Sequence, residues 1–140
     1  AGVVGGILID LFIYLTGLLP NHQPLSGMYL FVASSAIGKA AYTTANAVWL
    51  GAFMHFCVSI GWGIGYAYLA NSNSNIANRP LLSGAVFGVV VYIVMQIVLI
   101  LAKTYAEPTL IVFVTQLIAH CVFFGLPVAL IVSRMIRSRA

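Results

Sequence analysis

The stretch that decides the fold is Leu81–Ala102, which reads LLSGAVFGVVVYIVMQIVLILA and carries no charged side chain. As an α-helix it would be about 33 Å long, because each residue adds about 1.5 Å. The hydrocarbon core of a membrane is roughly 30 Å thick. We therefore predict that this stretch crosses a membrane as a single helix.

Three other apolar runs have a similar length, at about 2–19, 46–70 and 109–132. The whole chain is 62% hydrophobic and 6% charged, and its mean hydropathy is +1.08. These values exclude a soluble globular domain, and continuous apolar runs exclude a transmembrane β-barrel, whose strands alternate. The prediction is an all-α polytopic protein, with four transmembrane helices in a single membrane domain over residues 1–140.

The segment at about 25–44 differs from these four runs. Pro20 and Pro24 break the chain before it, its interior is rich in Ala, Ser and Gly, and Lys39 lies in its second half. Moderate hydrophobicity with a lysine favours a helix that lies in the interface or dips into the membrane and returns. We expect such a segment between the first and second spans.

The charges predict the orientation. With four spans both termini share one side, and so do all four arginines: Arg79, Arg134, Arg137 and Arg139. The positive-inside rule places that side in the cytoplasm. We predict a bacterial inner (plasma) membrane protein with both termini cytoplasmic, in contact with the lipid bilayer. The basic residues are scattered along the chain, so no nucleic-acid partner is expected.

An internal repeat is visible in the first and third spans. Residues 1–9 align with residues 83–91, and each copy contains a Gly-x-x-x-Gly pattern that allows close helix packing. The glycines are Gly2 and Gly6 in the first copy and Gly84 and Gly88 in the second. The repeat predicts a duplicated two-helix hairpin whose halves are parallel.

The second helix of each half carries one histidine followed by a glycine. His55 precedes Gly61, and His120 precedes Gly125. If the halves are related by an axis along the membrane normal, the two histidines lie at the same depth. The sequence GWGIG at 61–65, in the second span, is interpreted as a site of close helix packing.

Ionisable side chains in the middle of a span are costly, so each requires a partner or a purpose. Asp10, His55 and His120 all lie near the middle of apolar runs. Other polar residues share these helices and complete a predicted polar seam inside the bundle: Tyr14, Ser59, Gln96 and Gln116.

Three interpretations of this seam remain open. In the first, which we favour, Asp10 pairs with a histidine and interhelical hydrogen bonds fix the register of a non-catalytic accessory or structural subunit, or of a homo-oligomer. In the second, His55 and His120 are axial ligands of a haem b in an electron-transfer subunit, or join Asp10 at a metal ion. In the third, the same three residues line a proton or small-solute pathway.

No enzyme motif is present. The chain has two acidic residues in total and lacks the CxxC, HExxH and Walker patterns, so a paired-carboxylate or motif-based active site is not expected. The chain is predicted not to be an enzyme.

Most of the chain, from about Ser34 to Arg134, resembles a family of uncharacterised bacterial four-span membrane proteins. The matching segments are Ala33–Tyr42, Leu50–Phe56, Tyr92–Gln96 and His120–Leu130, with the trailing Arg134. In the family pattern an asparagine stands in place of Gln96 and a proline stands near Leu101. The family has no assigned activity, so the resemblance implies only the four-span architecture and the two histidine positions.

Overall fold

The computed structural model describes residues 1–138, and this range is helical throughout apart from short connections. Its α-helices are α1 (Gly2–Ile13), α2 (Ser26–Ile37), α3 (Ala47–Ser72), α4 (Ser74–Asn78), α5 (Pro80–Leu101), α6 (Leu110–Ile118) and α7 (Leu126–Arg137). A π-helical segment, Tyr14–Leu18, continues α1, and a second, Ala119–Gly125, joins α6 to α7. The fold is the predicted all-α bundle.

Four continuous helical stretches are long and apolar enough to cross a membrane. They are Gly2–Asn21, Ala47–Ser72, Pro80–Leu101 and Leu110–Arg137. The four predicted spans are therefore confirmed, and the last one runs about a turn further than expected, to Arg137. Large apolar side chains cover the outside of the bundle; Ile111, for example, is 79% exposed. Such a surface is suited to contact with lipid tails.

The segment at 25–44 does not form a fifth span. Its helix α2 has 12 residues and is about 18 Å long, too short to cross a core of roughly 30 Å. It packs lengthwise against the first half of α3, where a Cβ added to Gly51 would overlap the carbonyl oxygen of Tyr29. A 3-10 turn at Gly38–Tyr42 then leads back to α3. The segment thus lies inside one half of the bundle rather than flat across its end.

The two ends of the bundle differ in charge. At one end, here called the Arg79 end, Nη2 of Arg137 donates a hydrogen bond to the carbonyl oxygen of Ala77 at 3.3 Å. This contact places the end of α7 beside the Asn/Ser-rich connection. The opposite end, here called the Glu107 end, carries the connection 102–109 and Lys39.

The two halves repeat the same helix crossing. A Cβ on Gly2 would overlap the carbonyl oxygen of Ser59, and a Cβ on Gly84 would lie 2.9 Å from that of Gly125. In each half the first glycine of the pattern therefore lies directly against the backbone of the second helix of that half. The same crossing in both halves supports the predicted duplication.

The spacing from histidine to crossing point differs by one residue between the halves. Ser59 lies four residues after His55, whereas Gly125 lies five residues after His120. The π-helical segment Ala119–Gly125 contains both His120 and Gly125, and a π-bulge accommodates one extra residue in a helix. This insertion keeps the second half in register with the first.

Of the three glycines in the 61–65 sequence, one lies at this crossing in α3. Gly63 packs against Gly2, with its added Cβ 2.7 Å from the Gly2 nitrogen, while Gly61 and Gly65 have no atoms within 4 Å. Residues 61 and 65 lie one turn apart on a different face of α3. The expectation of close packing for the 61–65 sequence therefore holds for Gly63 alone within the chain.

Candidate functional site

A network of three side chains joins α1, α2 and α3 in the middle of the first half. Oδ1 of Asp10 lies 2.9 Å from Nε2 of His55, and the Tyr29 hydroxyl donates a hydrogen bond to Oδ2 of Asp10 at 2.9 Å. Asp10 is only 6% exposed. The predicted pairing of Asp10 with a histidine is present, and its partner is His55.

The contact between Asp10 and His55 is short, but it does not have the geometry of a linear hydrogen bond. At 2.9 Å the two atoms are at ion-pair distance, yet neither Oδ1 nor Nε2 has a directed hydrogen bond within the described residues. The ring N–H therefore does not point along the line to the carboxylate oxygen. Both atoms are buried, so they face each other inside the protein.

Tyr29 was absent from the predicted seam. Burial, then the hydrogen bond to Asp10 and its charge, raise the pKa of Tyr29 to about 12. Its hydroxyl therefore stays protonated and remains a donor at neutral pH. The one signal in the sequence was Gly51, one turn before His55 on α3, because a glycine there lets another backbone approach the histidine.

His120 is held differently from His55. Its Nδ1 donates a hydrogen bond to the carbonyl oxygen of Gln116 at 2.7 Å, and because a carbonyl only accepts, Nδ1 carries the proton. Nε2 of the neutral ring is then an acceptor. The ring also packs edge-on against Tyr92, with centroids 5.3 Å apart. The π-helical segment that begins at Ala119 sets this position.

Both histidines line one large cavity, of about 530 Å³. It lies between α2 and α3 on one side and α5 and α6 on the other. The other predicted polar residues that line it are Asp10, Ser59, Gln96 and Gln116. The structure thus brings together all of the predicted seam except Tyr14.

Tyr14 belongs to a second, smaller cavity. This space, of about 220 Å³, lies between α1, α2 and α3 and is also lined by Asp10 and Tyr29. Tyr14 lies about one turn after Asp10 and lines this smaller cavity together with it, whereas Asp10 lines both cavities.

This geometry permits the haem interpretation in part but does not support the metal interpretation. A haem held by both histidines could bind Nε2 of His120, but Nε2 of His55 lies against Asp10, which leaves Nδ1 for the iron. Asp10, His55 and His120 do not form a metal site, since no three His, Cys, Asp or Glu side chains within residues 1–138 lie close enough to share an ion.

No protein-family model, curated protein or solved structure matches this chain. The resemblance to bacterial four-span proteins stays a prediction. Function is therefore inferred from the cavity and its lining.

Proposed function

We propose that this chain is a non-catalytic integral membrane protein that binds a small amphipathic molecule in the main cavity. This corresponds to the small-solute interpretation of the polar seam. The observation that carries it is the position of Asp10, a buried carboxylate held by Tyr29 and His55 at the wall of a cavity of about 530 Å³.

The size of the cavity argues against a purely structural role for the seam. Protein interiors are densely packed and contain few voids larger than a water molecule. The main cavity instead falls within the range of roughly 300–1,000 Å³ that is typical of small-molecule sites, and most of its lining is apolar with a few polar groups.

The lining also indicates how a ligand enters. At the Glu107 end the walls include the exposed residues Glu107 and Thr109, and at the inner end they include Trp62. Along the side, Val58 and Val112 line the cavity and are more than a third exposed. The cavity is therefore open both to water at one end and to the lipid beside it, which suits an amphipathic molecule.

Binding can be tested with the chain's own tryptophans. The chain has two, Trp49 and Trp62; Trp62 lines the cavity, whereas Trp49 is 74% exposed. In a Trp49→Phe background, we expect the neutral probe N-phenyl-1-naphthylamine to quench Trp62 fluorescence saturably in lipid nanodiscs.

A cavity-filling variant provides the control for this measurement. Ser35 lines the cavity, so Ser35→Phe should weaken the saturable quenching, while Ser35→Ala should leave it intact. Linear, non-saturating quenching that is identical in the two variants would contradict the proposed function, because it would show that the probe reaches Trp62 only from bulk lipid.

The predicted partner subunit or second copy stays a prediction. Its support is the open face of α3, where Gly61 and Gly65 have no atoms within 4 Å. Small residues on such a face allow another helix to approach closely in a membrane.

We further propose that the Arg79 end faces the cytoplasm of a bacterium, with the protein in the inner membrane. The support is the positive-inside bias, since Arg79, Arg134 and Arg137 lie at that end. On a background with Cys57 and Cys121 replaced by serine, Ser74→Cys should resist an impermeant maleimide in intact cells, and Lys103→Cys should react. Labelling with the reverse pattern would invert the orientation.

A further inference from the structure

We infer that the molecule bound in the main cavity is an organic cation with one positive charge and an apolar body. This inference rests on the proposed function and names its ligand class. It is carried by three features of the cavity: the distribution of charge along its walls, the composition of those walls, and the state of the Asp10 carboxylate.

The distribution of charge is one-sided. The chain has only two acidic residues, Asp10 and Glu107, and both line the main cavity. None of the lysine or arginine residues in the part of the chain that the structure describes lines it. A cleft lined by one sign of charge with apolar walls concentrates ligands of the opposite sign. The protein as a whole is basic, at +4, so this cavity is an acidic exception.

The walls favour an organic cation over a metal ion. Asp10 lies in the middle of the first span, Gly2–Asn21, whereas Glu107 lies in the exposed connection 102–109, so the two carboxylates do not converge on one point. A metal such as Ca²⁺ or Mg²⁺ requires several oxygen ligands around a single position. Aromatic side chains line the cavity instead, among them Phe31, Trp62 and Phe124, and aromatic faces attract organic cations.

The Asp10 carboxylate has no lysine or arginine partner among the described residues. It is more than nine-tenths buried, and its Oδ1 lies 2.9 Å from Nε2 of His55 without a directed hydrogen bond. Tyr29 supplies a hydrogen bond to Oδ2 but no charge. The negative charge of Asp10 can therefore be compensated only by His55 or by a positively charged ligand in the cavity that both residues line.

Two probes of the same shape and opposite charge test this inference. Tetraphenylphosphonium and tetraphenylborate each carry four phenyl rings around one central atom. In the Trp49→Phe protein in nanodiscs of uncharged lipid, we expect Trp62 fluorescence to report binding of the phosphonium about tenfold tighter than that of the borate.

Substitutions of Asp10 and Glu107 test whether these two carboxylates cause the preference for the phosphonium. Asp10→Asn should remove most of it, and Glu107→Gln, at an exposed position that does not endanger folding, should reduce it. The matched control is Ser74→Lys, which raises the net charge by the same unit as Glu107→Gln but lies at the Arg79 end; it should leave the preference unchanged.

The outcomes separate this inference from the proposed function. Equal affinity for the two probes, together with saturable binding of N-phenyl-1-naphthylamine, would overturn the charge inference and leave the proposed function standing. A preference that falls equally in Glu107→Gln and Ser74→Lys would also overturn it, since overall charge rather than the cavity would then be responsible. If neither charged probe nor the neutral probe binds saturably, both proposals fail.

Discussion

Gly88→Ala is expected to lower the free energy of unfolding by about 3 kcal/mol, at the upper end of the cost of overpacking a core. A Cβ at residue 88 would overlap the carbonyl oxygen of His120 and lie 2.5 Å from Cα of Cys121. Both are backbone atoms of the neighbouring helix, so no side-chain rotation relieves the overlap. The two helices of the second half must move apart. Thermal or chemical unfolding in a mild detergent measures the loss.

The chain offers a matched control for this substitution in Gly65→Ala. Gly65 is also in the interior of a spanning helix, but nothing lies within 4 Å of its added Cβ. There the substitution should leave stability unchanged or raise it by up to about 1 kcal/mol, because alanine has the higher helix propensity. Equal effects at the two positions would refute the close crossing in the second half.

Gly88→Ala should also weaken binding in the main cavity. The backbone that Gly88 contacts belongs to His120, whose ring lines the main cavity. Separation of α5 from the last span therefore displaces His120 relative to Tyr92, which packs against it on α5. A Gly88→Ala protein that remains folded at low temperature should bind N-phenyl-1-naphthylamine more weakly than the Gly65→Ala protein.

The sequence predicted the spans and their close crossings because both depend on composition over short distances. Long apolar runs cross the membrane whatever surrounds them, and Gly2, Gly84 and Gly88 mark where backbones meet. Even so, the choice between Gly61 and Gly63 depends on how α3 is rotated about its axis. This rotation is set by packing against α1, and the sequence of α3 alone does not reveal it.

The site was predictable only in part for the same reason. Asp10 and His55 stand out because ionisable residues are rare in a span, so a pairing between them could be anticipated. Tyr29 could not, since a tyrosine in a short segment of mixed polarity has many alternative positions. The π-helical segments are a further obstacle, because each shifts the face of every later residue. Asp10 lines two cavities, and the sequence does not show that Tyr14 lines only the smaller one.

Asp10→Ala should produce the second large effect, a loss of about 3 kcal/mol in the free energy of unfolding. The substitution leaves the Tyr29 hydroxyl without its acceptor and the buried Nε2 of His55 without the carboxylate beside it, and a buried polar group that loses its partner costs about 1–3 kcal/mol. Tyr29→Phe removes only one hydrogen bond and should cost about 1 kcal/mol. A cost for Asp10→Ala no larger than that for Tyr29→Phe would show that Asp10 does not hold the three helices together.

Stability alone does not distinguish a structural network from a binding site, but an apolar replacement of the whole network does. In soluble proteins, replacing a complete buried ion pair with apolar residues of similar size is often neutral or stabilising. The triple variant Asp10→Leu, Tyr29→Phe, His55→Leu should therefore recover much of the stability that Asp10→Ala loses. Its cavity would still be apolar and should still bind N-phenyl-1-naphthylamine, but its preference for tetraphenylphosphonium over tetraphenylborate should be gone. A triple variant that keeps this preference would show that the carboxylate is present for packing and that the selectivity arises elsewhere in the cavity.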